Sequence, residues 1–107
     1  MQNPSAWEGG EKMGIKEIFS DIRQLGISEV LYHQRLSGIY PEVNVVNQEG
    51  NVIGSGLLTS FDEEAYWVRS RAKYGYVSEG GPVGKNIRVV AKDGREMTPE
   101  LFRELVE

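Results

Sequence analysis

A change of hydrophobic period at Pro41 constrains this chain more than any other feature. Before it, Ile15, Ile18, Phe19, Ile22 and Leu25 recur at the spacing of one helix face, and Gly26 stands where a left-handed residue would end that helix. From Glu42 the period is two. "EVNVVN" reads as a strand, "QEGN" (Gln48 to Asn51) as a turn and "VIGSGLLTSF" as a long second strand. Helical and alternating segments in separate runs point to the α+β class.

The remaining segments follow from local signals. Ser28 to Leu36 allows a short second helix or a strand; helix is the preferred reading, with Ser28 as its N-cap. Gly54 and Gly56 are two apart and share one face of their strand, where they permit sharp bending or the close approach of another element. "DEEA" makes a turn, and Tyr66 to Val77 forms a third strand or a strand pair interrupted near Gly75. "SEGGPVG", holding Gly80, Gly81, Pro82 and Gly84, reads as an irregular loop. "KNIRVVAK" is a further strand, and Asp93-Gly94 a tight turn. In "TPELFRELVE", Thr98 is an N-cap and Pro99 the first helical residue. A helix that short does not persist alone in water, so Leu101, Phe102, Leu105 and Val106 must pack on the sheet or on a second subunit. The expected architecture is an N-terminal helix or helical pair, a bent antiparallel sheet of about five strands that is partly or wholly barrel-like, and a short C-terminal helix.

With 107 residues the chain is expected to form one domain over residues 14–107, behind a flexible tail at residues 1–13 in which Met13 is an alternative start. The balance of 39% hydrophobic and 26% charged residues is that of a globular protein, and no apolar run approaches the roughly 20 residues of a spanning helix. The first residues lack the basic start and apolar middle of a signal peptide, so a cytoplasmic location and no membrane partner are the expectation. There is no cysteine, which excludes disulfides, thiolate nucleophiles and Cys-ligated zinc. His33 is the single histidine, leaving one imidazole for catalysis or, more simply, for packing beside "VLY".

The net charge of −4 is unevenly spread: residues 1–64 carry −6, residues 65–97 carry +4 and residues 98–107 carry −2. Within the basic segment, Trp67, Arg69, Arg71 and Lys73 share one strand parity, while Tyr66, Val68, Ala72, Tyr74 and Tyr76 share the other. Three cations headed by an indole can follow a single-stranded sugar-phosphate backbone, with Lys85 and Arg88 as further candidates in the same segment. The same letters also describe a solvated strand face. From Gly80 to Gly84 the spacing is one residue short of a P-loop, and Asn86 stands where Ser or Thr would hold the metal. Asp62, Glu63 and Glu64 are neighbours in a turn rather than convergent metal ligands.

Two stretches resemble known families. Val43 to Ser70 resembles the first motif of Sm-like proteins through Gly50, Gly56, Leu58, Phe61, Asp62, Trp67 and Val68, with a helix before the sheet. That resemblance implies a small five-stranded barrel, ring-shaped oligomers and binding of uridine-rich or adenine-rich RNA. Ile22 to Leu36 resembles the helix-turn-helix of transposase-type and repressor-type DNA binders, which implies His33, Gln34 and Arg35 as major-groove readers. A plain αα-corner closed by Gly26 accounts for the same residues.

No nucleophile-base arrangement, metal cluster or cofactor fingerprint is legible, so neither a cofactor nor a catalytic residue is assigned. The expected function is a small non-enzymatic protein-interaction or regulatory module, self-association included. Single-stranded nucleic-acid binding is the second reading, helix-turn-helix DNA binding a distant one, and an enzyme using His33 with a nearby carboxylate is another.

Overall fold

The computed structural model describes residues 15–84 and 86–107, so the expected tail at residues 1–13 lies outside them. By compactness the chain divides into two units, residues 1–35 and 36–107.

The described part of the first unit is helical. α1 (Ile15–Leu25) carries Glu17 in its first turn and Arg23 in its last, each placed to complement the helix dipole. Gly26 ends it as expected, with φ +94° and its N–H donating to the Ile22 carbonyl at 2.9 Å. α2 spans Ile27–Ser37, which makes the second segment a helix. Its N-cap is not Ser28. The Gly26 carbonyl already accepts from the Val30 N–H at 3.3 Å, so one glycine closes α1 and opens α2, and Ser28 falls inside the first turn.

The second unit is a five-stranded antiparallel sheet followed by a helix. Its strands are β1 (Glu42–Asn47), β2 (Val52–Phe61), β3 (Ala65–Ala72), β4 (Gly75–Pro82) and β5 (Ile87–Ala91), in the order β4-β3-β2-β1-β5. α3 (Pro99–Val106) completes it, with the Thr98 hydroxyl accepting from the Leu101 N–H at 3.0 Å and Pro99 in the first turn.

One face of the sheet holds the core. Val43, Val45, Leu58, Val68, Val89, Ala91 and Met97 are buried together, with Phe61, Tyr66, Ile87, Leu101 and Phe102 packed around them. The rings of Phe61 and Phe102 lie 6.4 Å apart, so the sheet is what receives α3. Register breaks at Val45/Val46 and Leu58/Ser60 bend the strands. Between them, Gly56 lets β3 approach β2: a Cβ there would stand 2.3 Å from the Arg69 carbonyl oxygen. Gly54 faces the same side, but a Cβ there would meet only the Val45 side chain at ordinary distance, 3.9 Å.

Two further expectations are corrected. The sheet does not close into a barrel, because the free edge of β5 is taken by the chain itself. After the turn at Gly94, the Ala91 N–H donates to the Arg95 carbonyl at 2.8 Å and the Met97 N–H donates to the Val89 carbonyl at 2.7 Å. β4 cannot pair where residues 95–97 already lie. The second correction concerns "SEGGPVG": residues 78–82 are not loop but the greater part of β4. The ladder to β3 supplies what local propensity lacks, and the edge position tolerates Pro82.

Candidate functional site

The basic stretch folds as a hairpin. β3 and β4 pair along their whole length, from Ala65↔Pro82 to Ala72↔Gly75, with Lys73 and Tyr74 at the turn. Trp67, Arg69 and Arg71 do share one face of β3, opposite to Tyr66 and Val68, which face the core. The turn resets the parity, however. Tyr76 pairs with Arg71 and returns on the basic face, not on the face of Tyr66 and Val68 that strand parity alone predicts.

The two arginines of this face lie against an aromatic ring. The Arg69 guanidinium lies 4.6 Å from the Tyr76 ring centroid and that of Arg71 lies 6.0 Å from it, so two cations share one ring. The Lys73 ammonium is 5.3 Å from the ring of Tyr74, which is 84% exposed. Trp67 is 49% exposed and lies across Gly80, its partner on β4. A Cβ on Gly80 would stand 2.6 Å from indole Cδ2, and one on Gly81 would stand 3.2 Å from the Tyr66 hydroxyl. The two glycines that looked like loop punctuation are therefore seats for aromatic rings, one on each face.

The other candidates lie elsewhere. Arg88 is on β5, opposite Val46 and three strand spacings from β3, about 14 Å along the sheet. It pairs with Glu96 at 3.7 Å. Lys85 lies outside the described residues. Among the helical candidates, His33 is half-buried while Gln34 and Arg35 are exposed, and a single residue separates their helix from α1.

The acidic turn is structural. Asp62 Oδ1 accepts from the backbone N–H of Glu64 at 2.8 Å and of Ala65 at 2.9 Å, and these bonds hold the Asp62 carboxyl below its ordinary value. Among the described residues no three or more His, Cys, Asp or Glu side chains gather where they could hold a metal ion. No described helix is long and apolar enough to cross a membrane.

The outer edge of the hairpin has a definite polarity. The Val83 N–H donates to the Glu64 carbonyl at 2.9 Å, which fixes the phase of the alternating ladder. Counting from that pair, Val77, Glu79 and Gly81 turn their backbone groups towards β3, whereas Ser78, Gly80 and Pro82 turn theirs away. Pro82 thus lacks its N–H at a position where β3 needs none. Among the described residues no strand lies beyond β4.

Compared with known protein families, with curated proteins and with solved structures, the chain matches none.

Proposed function

We propose that this chain is a small non-enzymatic interaction module that takes an extended polypeptide segment as an added strand on the outer edge of β4. The outward backbone of Ser78 and Gly80 carries this reading: a strand edge without a neighbour among the described residues offers ladder hydrogen bonds to an incoming chain. Ser78 and Gly80 themselves carry small side chains, and Glu79 between them belongs to the opposite face of the strand. Selection from a library of displayed random peptides tests it, with Ser78→Pro as the discriminating variant. That proline removes an outward donor and no bond to β3, so it should abolish peptide capture without unfolding the sheet. Capture that is indifferent to Ser78→Pro would refute the reading.

A second reading is single-stranded nucleic acid on the basic face, favoured by the half-exposed indole of Trp67 beside Arg69, Arg71 and Lys73. Arg69 has a buried guanidinium nitrogen, so Arg71 and Lys73 are the cations open to phosphate, and two such contacts on a single strand give a log-log salt slope of only about −1.4. Tyr76 lies against two guanidinium groups, leaving Trp67 as the stacking platform on β3. Titration with a uridine-rich oligonucleotide at two salt concentrations tests this reading. Binding unaffected by salt and by Arg71→Ala would exclude it.

A further inference from the structure

We infer that the segment β4 accepts is β4 of a second copy, paired antiparallel about a two-fold axis at Ser78; this rests on the strand-addition reading and names its partner. Register selects the pairing. An added strand continues the sheet only if residues of the same face stand opposite one another, so the two residue numbers of each pair must sum to an even number. A sum of 158 sets Glu79 against Glu79 of the second copy, two like charges directly opposite.

Sums of 154, 156 and 160 avoid that clash, and of these 156 alone sets the largest side chain of the strand against Gly80. Ser78 then faces Ser78 of the second copy, and each can donate its outward N–H to the other's carbonyl. Tyr76 stands opposite Gly80 of the second copy, the one position on that face of the strand with no side chain, beside the indole of Trp67. Val77 faces Glu79 of the second copy. The strand is thus self-complementary in size: its largest side chain meets its smallest, twice, by symmetry.

The assembly also closes at two copies. β5, the other edge, is lined by residues 95–97, so the pairing consumes the one edge these strands leave open and cannot propagate into a fibre. Arg69 and its counterpart are three strand spacings apart, about 14 Å, which exceeds the screening length of roughly 8 Å at physiological ionic strength. Because both copies turn the basic face to the same side, added salt should strengthen the dimer slightly. A nucleic-acid complex would weaken instead.

Sedimentation across a range of protein concentrations tests the inference, together with two variants. The wild-type chain should pass from monomer to dimer and stop there, and Ser78→Pro should stay monomeric with an unchanged circular dichroism spectrum. The chain has no cysteine of its own, so Ser78→Cys should give a disulfide-linked dimer on mild oxidation, where Asn51→Cys, in an exposed turn, does not. A dimer that survives Ser78→Pro overturns the inference, as does Ser78→Cys that links no faster than Asn51→Cys. A chain monomeric at every concentration, whose peptide capture is still abolished by Ser78→Pro, overturns self-pairing alone and leaves strand addition standing. Dimerisation and peptide capture both indifferent to Ser78→Pro overturn both.

Discussion

The indole of Trp67 occupies the space that a side chain on Gly80 would need: a Cβ there would stand 2.6 Å from Cδ2 and 2.5 Å from the Tyr66 carbonyl oxygen. Gly80→Ala should therefore displace the ring or the strand beneath it. The expected result is a change in Trp67 fluorescence and a loss of about 1–3 kcal/mol in denaturant unfolding, the range for a strained or overpacked site. Trp7 also contributes to the signal, so the comparison is made in a Trp7→Phe background.

Gly54 and Gly56 look equivalent in the sequence and are not. Gly56→Ala places a methyl group 2.3 Å from a backbone oxygen of β3, at φ +153°, and should cost about 3 kcal/mol or prevent folding. Gly54→Ala meets only the Val45 side chain and should change stability by less than about 1 kcal/mol. Urea titration of the two variants separates them.

Asp62 makes its turn sensitive to acid. Its carboxyl is held below the ordinary value of 3.8, first by the Glu64 N–H and then by the Ala65 N–H. A folded-state value below the unfolded one stabilises the protein fully above about pH 4, and that stabilisation is lost as pH falls through the folded value. Asp62→Asn keeps an acceptor oxygen but cannot titrate. Its Tm should lie below that of the wild type at neutral pH, and the gap should narrow on acidification below pH 3.8. A constant gap would mean that the charge is irrelevant to the turn.

α3 depends on its cap and on its docking. Thr98→Ala removes the acceptor for the Leu101 N–H and should cost about 1 kcal/mol. Phe102→Ala removes the ring against Phe61 and should cost about 3 kcal/mol. Because α3 is eight residues long and cannot stand alone, either change should speed amide exchange throughout residues 99–106 rather than at one position.

Much of the fold was legible because its signals are local. The spacing from Ile15 to Leu25, the left-handed Gly26, the alternation after Pro41, the Asp93-Gly94 turn and the Thr98-Pro99 helix start each depend on residues within a few positions of one another. The common face of Trp67, Arg69 and Arg71 was legible for the same reason, since strand parity is a property of one segment. Arg88 is near them in sequence, but the sheet order sets it three strands away.

What the sequence determined by itself was the division into helices, alternating strands and a short final helix, because backbone sterics, capping and hydrophobic period act over a single turn or strand. What only the tertiary structure decided was how those pieces meet. β4 is a strand although Gly80, Gly81 and Pro82 have no local preference for one, because β3 supplies the ladder and the aromatic rings fill the space that the glycines leave. Tyr76 joins the basic face because a two-residue turn resets the parity, and the sheet stays open because residues 95–97 cover β5 before β4 can reach it. Each of these outcomes rests on hydrogen bonds and contacts between segments distant along the chain, whose geometry no local pattern specifies.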